Sequence, residues 1–133
     1  HAVLSIGAVK GFEIGDGFEA ARSNGSTNND AFCLKDGQIT KKTNHSGGTL
    51  GGMSDGSTVI FRAAIKPTPS ISSLQQTVNS SMEEVDISVK GRHDPIIVPR
   101  AVVVVESMAA LTTVDLLLRN MSASMDHLLR IYR

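Results

Sequence analysis

The sequence predicts an α+β fold in which an antiparallel sheet packs with one long buried helix. Two patterns carry that expectation. Residues 58–66 alternate Val59, Phe61, Ala63 and Ile65 with Ile60, Arg62, Ala64 and Lys66, and such period-two alternation marks a strand with two unlike faces. Residues 101–119 form an apolar stretch longer than a strand usually occupies. On propensity alone Val102-Val103-Val104-Val105 reads as a buried strand. Length, Met108-Ala109-Ala110-Leu111 and Leu116-Leu117-Leu118 favour a helix instead. Being apolar almost all round, that helix is expected to be central and buried.

The remaining elements follow in order. Residues 9–18 alternate loosely, with Phe12 and Ile14 opposed to Glu13, and end in the Gly15-Asp16-Gly17 turn. One or two helical turns fit residues 18–23. Residues 23–36 are rich in Asn, Ser, Thr and Gly and read as a surface loop. Residues 38–44 are a polar strand candidate. Ser54-Asp55-Gly56-Ser57 is a turn that would pair the strand at 58–66 with the Gly-rich segment before it. Residues 75–79 and 83–89 make a second hairpin, with Val85, Ile87 and Val89 on one face and Ser80-Ser81 at the bend. After the long helix, Met121, Met125, Leu128 and Leu129 recur at helical spacing in a short final helix. No internal repeat and no dividing linker interrupts residues 1–133, which are expected to form one domain.

Composition narrows the function classes. Thirteen basic side chains balance thirteen acidic ones in 133 residues, so no global field recruits nucleic acid or an anionic membrane. The single Cys33 has no intrachain partner, which fits a reducing, cytoplasmic setting, and no His/Cys cluster offers a metal site. Arg100, Glu106 and Asp115 interrupt the apolar run, so a soluble protein is expected rather than a membrane span. His1-Ala2-Val3-Leu4 lacks an initiator Met and starts inside an apolar stretch; a piece of a longer polypeptide is expected.

The chemistry concentrates in three places. Gly91-Arg92-His93-Asp94-Pro95 sets a guanidinium, an imidazole and a carboxylate side by side, just before Ile96-Ile97-Val98-Pro99-Arg100 and the long helix. Charges crowded at the mouth of a buried segment are costly to desolvate and mark candidate sites. The plainer alternative is that Asp94 caps the helix. Arg92 offers a planar, permanent fork for phosphate or carboxylate; His93 would point elsewhere if the segment is extended and is read as structural. Lys66-Pro67-Thr68-Pro69-Ser70 sets a cation and two hydroxyls on a stiffened backbone, suited to a phosphate or a polar ring edge or, more plainly, to a surface turn. Gly47-Gly48 and Gly51-Gly52 expose backbone either to a ligand or to tight packing. His45 reads as a hydrogen-bonded structural residue, and Glu13 and Asp16 as solvated or capping acids.

Those motifs, with Asn44-His45-Ser46-Gly47-Gly48-Thr49-Leu50-Gly51-Gly52-Met53-Ser54-Asp55-Gly56 and the stretch from Gly7-Ala8-Val9-Lys10-Gly11-Phe12 to Phe18, occur in the order found in one family. From about Ser5 to Arg119 the chain resembles the C-terminal part of chorismate synthase. The resemblance supports a helix over residues 99–119 and implies a fragment of a layered α+β fold, with the N-terminal portion absent. It further implies a lyase of aromatic amino-acid biosynthesis in the shikimate pathway. Such an enzyme eliminates phosphate from 5-enolpyruvylshikimate 3-phosphate in a 1,4-anti sense to give chorismate, needs reduced FMN, and is a homotetramer.

Residue by residue, the resemblance puts Gly51, Lys66, Pro67, Thr68, Pro69, Ser70 and Arg92 at FMN. Gly7 and Ala8 are added through main-chain contact, Gly7 standing where the family often has Asn. Arg92 is also placed near the substrate anion, and Asp94 at the reactive edge of the flavin as the catalytic residue. Another class stays open: a non-catalytic remnant or isolated module that lacks the N-terminal half of the site. A flavin reductase has no support, since no Gly-x-Gly-x-x-Gly fingerprint occurs.

Overall fold

The computed structural model describes residues 1–132. It is mixed helix and strand, and its contacts divide the chain into two units, one built on Val3–Ile65 and the other running from Lys66 onward.

In the first unit, strand β1 (Val9–Ile14) is the partner of the strongly alternating strand. β2 (Phe32–Lys35) and β3 (Gln38–Lys41) form one hairpin, and β4 (Thr49–Leu50) and β5 (Met53–Ser54) a second. β6 (Phe61–Ile65) runs antiparallel to β1, opposing Phe12 to Ala63, Glu13 to Arg62 and Ile14 to Phe61. The rings of Phe12 and Phe61 stack with centroids 5.4 Å apart, and Arg62 Nε lies 3.5 Å from Glu13 Oε1 across the ladder.

The expected hairpin of the 58–66 strand with the Gly-rich segment is therefore corrected. The Gly-rich segment turns back on itself through Gly51 and Gly52, at φ 56° and 81°. Two consecutive positive φ values match the twist of a two-residue hairpin loop, which closes β4 on β5 and leaves β6 free for β1. The expected surface loop over 23–36 also ends too late. Asp36-Gly37 is a hairpin turn of the same kind, and it makes residues 32–35 a strand.

Gly47 and Gly48 serve close packing. A Cβ on Gly47 would sit 2.3 Å from the Gly15 amide nitrogen, and one on Gly48 2.7 Å from the Thr58 carbonyl oxygen. Beside them lies a knot of charge. Lys41 pairs with Asp55, and its Nζ is 3.9 Å from Asp30 Oδ2; all three side chains are at least nine-tenths buried. Asp30 accepts hydrogen bonds from the Thr43 hydroxyl at 2.8 Å and from the His45 and Ser46 amides at 2.8 and 2.9 Å. Burial pushes the Asp30 carboxyl up, but the Ser46 amide, the Thr43 hydroxyl and the His45 amide together outweigh it and hold it well below the usual carboxylate range. Asp55 is lowered chiefly by Lys41 and then by the Ser57 amide.

The second unit carries the predicted hairpin, β7 (Gln75–Val78) with β8 (Glu84–Ile87), then helix α1 (Val98–Met121) and helix α2 (Met125–Tyr132). Ser88 Oγ donates to the Ser72 carbonyl at 2.7 Å, tying the end of the hairpin to the segment before it. At 24 residues, α1 is about 36 Å long, and in length and composition it could also cross a membrane.

Two expectations about packing are overturned. The strands form separate two-stranded antiparallel ladders among the described residues, not one sheet. The long helix exists as expected but has no buried residue. Its apolarity is a property of the sequence, whereas burial needs neighbouring surface that these residues do not supply. Among the described residues Val3 and Val9 are the buried hydrophobic side chains.

The glycine pairs should separate experimentally. At Gly51, with φ +56°, an added methyl group would meet nothing within 4 Å, so Gly51→Ala should cost only the left-handed backbone penalty, about 1–2 kcal/mol. Gly47→Ala meets backbone atoms at φ +67° and should cost about 1–3 kcal/mol more. Urea unfolding midpoints of the two variants test the order; equal midpoints would refute the close-packing role.

Acid should expose the charge knot. The stabilisation from Asp30 is present above the ordinary carboxylate range, about pH 4, and is lost as pH falls toward its lowered native value. Melting temperature should therefore drop below about pH 4, and Asp30→Asn should be less stable at neutral pH with a flatter acid limb.

Candidate functional site

The densest gathering of predicted site residues lies within the second unit. Thr68, Ser70, Arg92, His93, Asp94, Ile97 and Arg100 line one open cavity of about 470 Å³. Thr68 and Ser70 arrive from one side of the 66–70 segment, as alternate residues of an extended chain do. Lys66, Pro67 and Pro69 do not line it. The Pro69 carbonyl instead accepts the Gln75 side-chain amide at 3.3 Å, which anchors the segment to β7.

Arg92, His93 and Asp94 come from the connection into α1. Asp94 does not cap that helix. The residue at the N-cap is Ile97, with no side-chain hydrogen bond to the helix, and Asp94 lies too far back to replace it. Its carboxylate Oδ2 is 2.7 Å from Arg100 Nη1, the side chains being 40% and 77% exposed respectively. His93 lines the cavity as well, against the expectation that it points elsewhere. Residues 92–94 belong to no strand, so strict alternation of side chains does not run through this stretch.

One lining residue carries an unsatisfied polar atom. Thr68 Oγ1 is buried and has no hydrogen-bond partner, and a buried hydroxyl in that condition costs about 1–3 kcal/mol. With two guanidinium groups against one carboxylate along the lining, the cavity has surplus positive charge. That set of groups suits an anionic ligand with hydrogen-bonding edges, such as a phosphate or a flavin.

The other expected site residues lie in the first unit. Gly51 is exposed at the β4–β5 turn with open space around it. Gly7 also has nothing within 4 Å. Ala8 holds φ 70°, a left-handed conformation that L side chains adopt at some cost and that tends to persist where function or surrounding packing imposes it. His45 is hydrogen-bonded, as expected: its Nδ1 is 2.6 Å from Asp16 Oδ2. Glu13 accepts the Phe18 amide at 2.9 Å, a capping role. Among the described residues no His/Cys/Asp/Glu group could hold a metal.

Arg100 and Ile97 were not singled out in the sequence. The signal for Arg100 was available: a basic residue directly after Pro99, in a first helical turn without an acid, opposes the helix dipole and invites an anionic partner.

The family model for chorismate synthase matches residues 1–118. The chorismate synthase of Agathobacter rectalis is 69% identical over 132 residues, which are 99% of this chain and 36% of that protein. The chorismate synthase of Archaeoglobus fulgidus is 63% identical over 119 residues, 89% of this chain and 33% of that one. A crystal structure of chorismate synthase superposes with a TM-score of 0.49 at 44% identity, over 52% of this chain and 21% of the other. The chain thus spans about a third of the length of the relatives it matches.

The partnerless hydroxyl makes a directional prediction. Thr68→Val should leave melting temperature unchanged or slightly raised, because no hydrogen bond is lost. Affinity for flavin mononucleotide, read by fluorescence titration of the full-length gene product, should fall by about 0.5–1.5 kcal/mol, roughly two- to tenfold. Unchanged affinity would remove Thr68 from the ligand contacts.

Proposed function

The chain belongs to the chorismate synthase family, which implies a flavin cofactor and a small-molecule substrate, and from that premise we propose that the full-length protein is a chorismate synthase. In this reading 5-enolpyruvylshikimate 3-phosphate loses phosphate and a ring proton in a 1,4-anti elimination, giving chorismate. The observation that carries it is the single cavity lined by Thr68, Ser70, Arg92 and Asp94, from two separate segments, with the unpaired Thr68 hydroxyl on one of its lining residues.

The chain's own residues have distinct tasks. Arg92 binds an anion through its planar fork. The hydroxyls of Thr68 and Ser70 orient the ligand's polar edge, and the Thr68 hydroxyl finds there the partner it lacks. Asp94, two residues beyond Arg92 and paired with Arg100, handles a proton at the reacting centre. Reduced FMN, when bound, supplies transient electron density to an elimination with no net redox change, so the protein's share is positioning and electrostatics. Lys66, Gly51, Gly7 and Ala8 are proposed as further flavin contacts, on the resemblance of their motifs.

A cytoplasmic homotetramer is part of the same proposal. Its support is the neutral charge balance, the lone cysteine and the uncovered apolar surface of α1, which further chain or further copies would bury. One observation favours a second reading, a module without activity: with Val3 and Val9 as its buried hydrophobic residues, this stretch carries little core of its own. Intact mass of the gene product separates the two, since a product of the relatives' length favours the enzyme.

Asp94→Asn tests the central assignment. Asn preserves shape but cannot accept the proton, so turnover should fall by roughly 10²–10⁴, the usual scale of general acid–base assistance. Melting temperature should move little, because the pair with Arg100 is largely solvated. A folded, FMN-bound variant working at near wild-type rate would exclude Asp94 from the chemistry.

A further inference from the structure

Arg100 has no assigned role, yet it is the charged group paired with Asp94 among the described residues. We propose that Arg100 is a positioning residue for the reaction, its guanidinium fixing the orientation of the Asp94 carboxylate inside the cavity. The proposal rests on the reading of Asp94 as the proton-handling group.

Three observations converge on it. First, Nη1 and Oδ2 are 2.7 Å apart, and both side chains line the same cavity. Second, Arg100 stands on a rigid support. It is the third residue of α1, directly after Pro99, and its amide donates to the Ile97 carbonyl at 3.1 Å. The carboxylate itself lies on the irregular connection before the helix, where a side chain needs an external reference to hold one rotamer. Third, the location is unfavourable for a cation taken alone. The first turn of α1 holds no acidic residue and Ile97 supplies no side-chain cap, so Arg100 faces the positive end of the helix dipole. Asp94 offsets that charge.

Folding stability does not account for the pair. With its groups 40% and 77% exposed, it belongs to the class of ion pairs worth little to the fold. The cavity lining also holds a second guanidinium, on Arg92, with His93 as the other titratable group, and includes Thr68 and Ser70. Two arginines beside one carboxylate allow a division of labour. Arg92 remains available for the ligand anion while Arg100 stays on Asp94.

The test is a double-mutant cycle in the full-length gene product, assayed with reduced FMN and 5-enolpyruvylshikimate 3-phosphate. Arg100→Gln should lower kcat about tenfold or more with KM changed less than about twofold, the pattern of an interaction that matters in the transition state. Arg100→Lys should recover part of the loss, since charge is kept and only the fork is gone. In an Asp94→Asn background Arg100→Gln should add almost nothing, because a residue acting through Asp94 has nothing left to orient. FMN affinity of the resting protein should stay within about twofold of wild type.

Additive losses in the cycle would overturn the proposal, as would a raised KM with unchanged kcat, which would make Arg100 a substrate anchor. A drop in FMN affinity matching the loss of rate would overturn it too, by placing Arg100 on the cofactor. If Asp94→Asn is itself near wild type, the reading of Asp94 fails and this inference with it. If Asp94→Asn is impaired while Arg100→Gln is silent, only this inference fails.

Discussion

Asp30 accepts the Thr43 hydroxyl and two consecutive backbone amides, of His45 and Ser46, while Lys41 bridges it toward Asp55. The first unit depends on that arrangement because it has little apolar core to depend on, Val3 and Val9 being its buried hydrophobic residues. A carboxylate that satisfies successive amides dictates the path of the chain through residues 43–46. That path delivers Gly47 and Gly48 against Gly15 and Thr58, where a side chain would not fit. The β4–β5 turn carrying Gly51 grows directly from this anchored stretch. Polar connections do here what hydrophobic packing does in larger cores, and they do it with more directional control.

In the second unit the governing constraint is electrostatic. The start of α1 brings together the dipole's positive end, Arg100 and, just upstream, Arg92. Asp94 offsets part of that charge, and the remainder is an invitation to an anion. The partnerless Thr68 hydroxyl fits the same account. A site preorganised for a ligand holds donors whose partners arrive with it.

Helix α1 joins the fold to the question of what surrounds it. A 24-residue helix with no buried residue exposes Val103, Leu111 and Leu118 at 63%, 67% and 58%, far more contiguous apolar surface than soluble monomers usually show. Thr112 and Thr113 return their hydroxyls to the Met108 and Ala109 carbonyls at 2.8 Å, so these two side chains satisfy their donors within the helix itself. The relatives are about three times as long, and a helix of this kind is ready for their additional surface.

Much of this was readable along the chain, because the signals are local. Alternation at 58–66, the paired polar strands at 75–89 and the helix-forming run after Pro99 each depend on near neighbours in sequence. The crowding of Arg92 and Asp94 before the helix, and the hydroxyls of the 66–70 segment, were legible for the same reason. The Asp36-Gly37 hairpin was equally local and was obscured by the polar composition around it. What the tertiary structure alone decided was every pairing of distant segments. It chose β1 as the partner of β6, enclosed Lys41 between Asp30 and Asp55, turned His93 into the cavity and set Arg100 against Asp94 in place of a helix cap. Those outcomes depend on the relative placement of backbones that residue identity does not encode position by position. The same reason explains the exposed helix: a sequence determines that a segment is apolar, but only the surrounding structure determines whether anything covers it.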